Sequence, residues 1–229
     1  GYTNLVTGIA LLLGFKVPIN FNAPYMASSL KDFWGRWHIS LSTFIRDYIY
    51  IPLGGSRKGF SRTNINLLLA MVISGLWHGA AMTFIIWGAI HGLGMVLLNI
   101  KHFCLDKLKL TGRFISPSIS VITSRVITFH FVCFAWIFFR SQTSDDALML
   151  LRQIGAPGFL EALSTSIVAL SGFWLLFIGY PYCVRGYHFI AKYHQKVAWY
   201  FYPVPLALIL TIVFMLSPSG MPGFIYANF

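Results

Sequence analysis

The sequence predicts an all-α, multi-span transmembrane helical protein with one amphipathic helix that is interfacial or cavity-lining, and three observations carry that prediction. Of 229 residues, 57% are apolar and only 10% charged, against about 25% charged in soluble domains. Mean hydropathy is +0.70, and several apolar stretches exceed the roughly 18 residues that mark a membrane span. The 17 Lys and Arg against 6 Asp and Glu fall in short segments between the apolar ones, the pattern that membrane insertion produces. A soluble enzyme, a secreted scaffold and a disordered chain are excluded. No nucleic-acid partner is expected, despite the formal charge of +11. Cys104, Cys133 and Cys183 stand far apart with no C-x-x-C, which supports neither a disulfide framework nor a metal site.

The first element, GYTNLVTGIALLLGF, reads as the tail of a span ending near Lys16. It lacks the charged n-region and cleavage site of a signal peptide, so residues 1–229 are expected to be a single membrane domain, the C-terminal part of a longer chain. Residues 17–28, VPINFNAPYMAS, should be irregular. Residues 63–100 contain no Asp, Glu, Lys or Arg. As one helix this stretch would extend ~57 Å, nearly twice the ~30 Å hydrocarbon core, so it must be a hairpin or a re-entrant pair. Gly75, Gly79, Gly88 and Gly92 supply its bends or close crossings.

Further spans are expected at 119–139, 162–184 and 199–217. The positive-inside rule assigns to the cytoplasm the loops 54–63 (Arg57, Lys58, Arg62), 101–113 (Lys101, Lys107, Lys109 and Arg113 against Asp106) and 185–196 (Arg185, Lys192, Lys196). The balanced segment 140–158 and the uncharged tail fit the outer side. Arg125, inside an apolar segment, reads as a snorkelling residue in preference to a functional one.

SSLKDFWGRWHISLSTFIRDYIYIP predicts a single helix, opened by a Ser29–Asp32 cap and bounded by Pro52. Around it Phe33, Trp34, Trp37, Leu41, Phe44, Ile45 and Tyr48 fill one arc. Lys31, Asp32, Gly35, Arg36, Ser42, Thr43, Arg46 and Asp47 fill the other, with His38 on the border. Either the helix lies in the membrane interface, or its polar arc lines a water-filled cavity with Asp32 and Arg36 paired at i,i+4.

GLWHGAAMTFIIWGAIHG places His78 and His91 in apolar surroundings. Ionisable groups there are costly and mark a substrate path or reaction centre, unless an interhelical hydrogen bond accounts for them. A neutral His78 could accept a proton near neutral pH, which is general-base chemistry. No H-x-x-x-H or H-E-x-x-H occurs, so metal ligation is the weaker account. Ser28-Ser29-Leu30-Lys31 fits a helix start better than a nucleophile motif. GGSRKG at 54–59 reads as a solvated loop, and His130 as structural.

NFNAPYMASSLKDFWGRWHISLSTFIRDYIYIPLGG (20–55) together with GLWHGAAMTFIIWGAIHG (75–92) resembles the membrane-bound O-acyltransferase (MBOAT) family. The resemblance is to its bacterial branch, that of the alginate O-acetyltransferase membrane subunit, with teichoic-acid D-alanyl transferases more distant. The ending GFIYANF is similar to that branch's terminus. Tyr2-Thr3-Asn4 and Gly35 depart from its pattern, and its N-terminal spans are absent.

The resemblance implies transfer of a short acyl group, acetyl above all, from a cytoplasmic thioester such as acetyl-CoA, with no bound cofactor. The acceptor would be a hydroxyl on a polysaccharide or carrier, as in alginate biosynthesis, reached through a periplasmic acetyl-handling protein at the bacterial inner membrane. His78, in Trp77-His78-Gly79, corresponds to the family's central catalytic histidine, and His38 to its second signature polar residue. Trp77, His38 or an amide near Gly79 would donate to the oxyanion. Asp32, Arg36, Trp37, Arg46, Asp47 and His91 would line the channel or support it. The alternatives are a D-alanyl or lipid O-acyltransferase, which Tyr48-Ile49-Tyr50-Ile51-Pro52-Leu53-Gly54-Gly55 disfavours, or a non-catalytic transporter or export scaffold.

Overall fold

Ser29 opens the most informative part of the chain. Its hydroxyl accepts from the Asp32 amide at 3.1 Å, while the Asp32 carboxylate accepts from the Ser28 amide at 3.0 Å. Two of the free amides at a helix start are thereby satisfied. The computed structural model describes residues 2–109, 117–154, 156–194, 199–201 and 203–216. Arg113, Lys196 and the ending GFIYANF lie outside the described residues.

Among the described residues the regular structure is helical, as the sequence predicts. The helices of the first part are α1 (Tyr2–Leu12), α2 (Leu30–Trp34), α3 (Ile39–Ile45), α4 (Phe60–Trp77), α5 (Met82–Lys107), α6 (Pro117–Arg140) and α7 (Ser144–Ile154), with a 3-10 turn at Pro24–Met26 and a π-helical turn at Arg46–Tyr50. Then come α8 (Phe159–Thr165), α9 (Ile167–His194), a 3-10 turn at Trp199–Phe201 and α10 (Pro203–Leu216). Contacts group the chain into two compact units, Gly1–Pro157 and Gly158–Phe229.

The single helix expected over 29–52 is broken. Arg36 and Trp37 both return their amides to the Phe33 carbonyl and close α2. His38 then takes a left-handed backbone, φ 43° and ψ 56°, which costs a residue with a Cβ about 1–2 kcal/mol. Asn20 holds the break open: its carbonyl accepts from the Ile39 amide and its side chain from the Ser40 amide, both at 2.9 Å. The Asn22 amide donates to the Arg36 carbonyl at 2.9 Å. The predicted irregular stretch 17–28 is thus a strap that caps the restarted helix. After the break, Leu41 and Ile45 pack on Ala70 of α4, whereas Phe44 and Tyr48, placed on the same apolar arc, are exposed.

Residues 63–100 lie in a hairpin, α4 packed on α5. A Cβ on Gly75 would collide with the Phe84 carbonyl, and one on Gly88 with the Met71 carbonyl, so both positions are close backbone crossings. Farther along, Asn99 donates to Asn64 at 3.0 Å, and Asn66 donates to the Gly55 carbonyl at 3.1 Å, tying the 51–58 turn to α4. Gly94 gives room to Leu30 of α2 and Phe131 of α6. The core of this unit is built from Leu30, Phe33 and Trp34, Met71, Trp87, and Val132, Ala135 and Phe138.

α5 and Ser120–Arg140 of α6 are long and apolar enough to cross a membrane. The basic segments expected as loops are partly helical: α5 runs on to Lys107, and α9 carries Arg185 and Lys192 on its last turns. Lys and Arg are good helix formers, so charge ends an apolar run without ending a helix.

Candidate active site

His78 closes α4, its amide bonded to the Gly75 carbonyl at 3.0 Å. Gly79 follows at φ +148°, where a Cβ would also press on the Phe84 ring at 3.0 Å. The turn therefore requires glycine at this position. His78 is half-buried at the hairpin tip and not inside a helix, while His91, on α5, is fully enclosed at 1% exposure. The expectation of depth is met by His91 more than by His78, because the hairpin turns at residues 78–81.

The His78 imidazole stands edge-to-face against Trp77 (4.9 Å between centroids), Trp87 (5.3 Å) and Phe139 (4.9 Å). On the far side of the chain break, His38 meets the same Trp77 ring at 5.9 Å and Phe21 at 6.0 Å. Since Asn20 caps α3, the His38 side chain makes no capping bond and its imidazole is left available. Partial burial holds that imidazole below the usual histidine range, with a hydrogen bond to its own backbone opposing the shift.

His91 is walled in by Trp34 (5.2 Å), Trp87 (5.0 Å) and Phe131 (5.7 Å). Trp37 packs on Trp136 at 5.1 Å and stacks on Phe33. Asp32 and Arg36 form the expected i,i+4 pair at 2.6 Å. Burial raises the Asp32 pKa, but the bonds from Arg36 and the Ser28 amide outweigh it and hold the carboxyl below its ordinary range. Arg46 and Asp47 pair with each other at 2.7 Å on the exposed π-helical turn. The structure thus brings together His38, Trp77 and His78, seats Trp37 and His91 in the adjoining aromatic wall, and leaves Arg46–Asp47 outside that ring cluster.

A cavity of about 760 Å³ lies between the 29–56 segment and the α4–α5 hairpin. Lys31, Arg46 and His102 face it with Ser42, Ser74 and Asn99, and neither His38 nor His78 lines it. Sequence reasoning missed Trp87 and Phe139, which complete the wall around His78, and Asn20, which sets the break. The only sequence signal for Trp87 was its i,i+4 spacing to His91. Among the described residues no group of three or more His, Cys, Asp or Glu could hold a metal ion.

The membrane-bound O-acyltransferase family, MBOAT, matches over residues 2–140. The chain is 42% identical over 159 residues to a peptidoglycan O-acetyltransferase of Helicobacter pylori, covering 69% of this chain and 29% of that protein. It is 34% identical over 196 residues to a probable alginate O-acetylase of Pseudomonas aeruginosa, 86% of this chain and 36% of that one. With a teichoic acid D-alanyltransferase of Bacillus subtilis it shares 36% over 146 residues, 61% of this chain and 36% of that protein. The chain spans about a third of the length of these curated relatives.

Proposed function

Since the chain belongs to the membrane-bound O-acyltransferase family, we propose that it carries the reaction centre of an O-acyltransferase that moves an acetyl group from a thioester donor to a hydroxyl. One observation supports the reading above the others. His38 and His78 come from separate segments and reach the same indole, Trp77, at 5.9 and 4.9 Å. One imidazole can act as base while the other remains available to bond the reacting group.

His78 removes the proton of the attacking hydroxyl. The hydroxyl oxygen bonds to the acyl carbon, charge gathers on the former carbonyl oxygen, and a donor beside His78 holds it. His38, neutral and free of a cap, is the second polar group of the site. Asp32 and Arg36 fix the entry to the break, and the cavity bearing Lys31 suits an anionic thioester such as acetyl-CoA approaching from the cytoplasm. The acceptor is a cell-envelope polysaccharide or its carrier. A periplasmic acetyl-handling protein completes the transfer, and the protein is a multi-pass resident of the bacterial inner membrane. The names of the peptidoglycan and alginate relatives favour a polysaccharide acceptor.

The test is replacement of His78 by Ala in the full protein, with transfer measured beside expression and membrane insertion. A fall of about 10²- to 10⁴-fold is expected for loss of a general base, with insertion nearly intact. Wild-type activity in a well-folded His78→Ala protein would end this reading. His130, whose ring bonds the Val126 carbonyl one turn back at 2.8 Å, should tolerate Ala with little loss. The likeness to a D-alanyltransferase favours one other reading, D-alanyl transfer. Supplying acetyl and D-alanyl thioesters side by side separates the two.

A further inference from the structure

Thr83, Trp87 and His91 follow one another at i, i+4 and i+8 on α5, and therefore share one face. All three are enclosed, at 2%, 2% and 1% exposure. Each keeps a buried polar atom with no hydrogen-bond partner among the described residues: the Thr83 hydroxyl, the Trp87 Nε1 and the His91 Nδ1. Trp34, in ring contact with both Trp87 (5.7 Å) and His91 (5.2 Å), has an unpartnered Nε1 as well. Buried polar groups are ordinarily paired, and an unmade bond carries the group's full desolvation penalty. Unmade bonds spread over two turns of one helix face, with Trp34 against its middle, point to something that binds along that face.

The two indoles and the hydroxyl say what that is, since the His91 Nδ1 donates or accepts according to its tautomer. An indole N–H only donates, and a hydroxyl can donate. The complementary group is an acceptor, a carbonyl oxygen or the oxyanion that develops from it. Of the buried indoles among the described residues, Trp87 is the one in ring contact with His78, edge-to-face at 5.3 Å and 89°. Trp77, one of the three donors the sequence leaves open, is 56% exposed, so it lacks the enclosure that Trp87 has.

Resting on the acyl-transfer reading above, we infer that Trp87 is a catalytic residue whose indole N–H binds the acyl oxygen as it becomes an oxyanion, with Thr83 one turn away on the same face. The hydroxyl of the acceptor gives its proton to His78, and its oxygen forms the new bond to the acyl carbon. The carbonyl electron pair moves onto oxygen, where the Trp87 N–H holds it. When the pair returns, the carbon–sulfur bond breaks, and the departing thiolate takes the proton from His78. No oxidant or metal enters the balance. Trp87 is suited to the part because Phe139 (5.1 Å), His91 (5.0 Å) and Trp34 fix its ring on several sides, and a donor that is already oriented does not need to reorganise during reaction.

The test replaces the Trp87 indole in the full protein with 3-benzothienylalanine, which keeps the bicyclic shape and puts sulfur where the N–H was. The expected result is a fall in kcat of about 10²- to 10³-fold, the usual effect of removing one oxyanion donor, with KM and Tm little changed. A normal kcat overturns the inference, as does a raised KM with kcat intact, which would mark a ground-state contact. Should the isostere lower Tm, Trp87→Phe assayed well below its own Tm gives the same reading. If His78→Ala is inactive while the Trp87 isostere is fully active, only the donor assignment fails. If His78→Ala retains transfer, the acyl-transfer mechanism itself fails.

Discussion

A methyl group on Gly75 of α4 would stand 3.4 Å from the Cα of Gly88 on α5, and its nearest neighbour would be the Phe84 backbone. The two helices touch main chain to main chain at this point, one turn before His78. The approach sets how α5 presents Trp87 to the histidine, so packing in the hairpin and geometry at its tip are one problem.

Gly88→Ala should therefore disturb more than its size suggests. The new carbon meets the Met71 carbonyl and the Val72 Cα, backbone atoms that cannot swing aside. Overpacking of this kind costs about 1–3 kcal/mol. Thermal unfolding in detergent should show a lower Tm, together with reduced transfer at temperatures where the variant is folded. An unchanged Tm would mean that the helices do not cross at Gly88.

The His38 imidazole, held below the usual histidine range by burial, gives a pH dependence with a definite sign. The unfolded chain takes up this proton near pH 6.5 or so, and the folded chain only at lower pH. Stability from the neutral, buried ring is thus present above that pH and lost as pH falls toward the folded value. Tm should drop between about pH 7.5 and about pH 5, and His38→Asn, which has no proton to gain, should make the drop shallower. A profile that the substitution leaves unaltered would count against a buried neutral ring at 38.

Arg57 in the turn before α4 and Lys192 near the end of α9 are predicted to face the cytoplasm. In a protein lacking its native cysteines, Arg57→Cys and Lys192→Cys should react with an impermeant thiol reagent only after the inner face is opened. Labelling of either from the intact outer side would reverse the orientation.

The sequence shows helices through composition, the cap at Ser29 through spacing, and the hairpin through its length of uncharged chain. His38, His78 and Trp77 are legible as motif residues. The break at residues 35–38 is not. It depends on Asn20 supplying two hydrogen bonds from 19 and 20 residues away along the chain, and no periodicity within 29–52 reports a partner outside it. Trp87 was hidden for a related reason. On a helix apolar all round, one aromatic looks like another until a neighbouring helix shows which faces inward.

The left-handed backbone at His38 also constrains how this position can diverge. Among residues with a Cβ, Asn, Asp and His are the ones that enter that conformation most readily. Drift at residue 38 is therefore filtered by conformation before any selection for chemistry operates. The side chains that pass are short, polar and able to hydrogen-bond, so the turn would keep a reactive-site vocabulary in place even through lineages in which the reaction itself had changed.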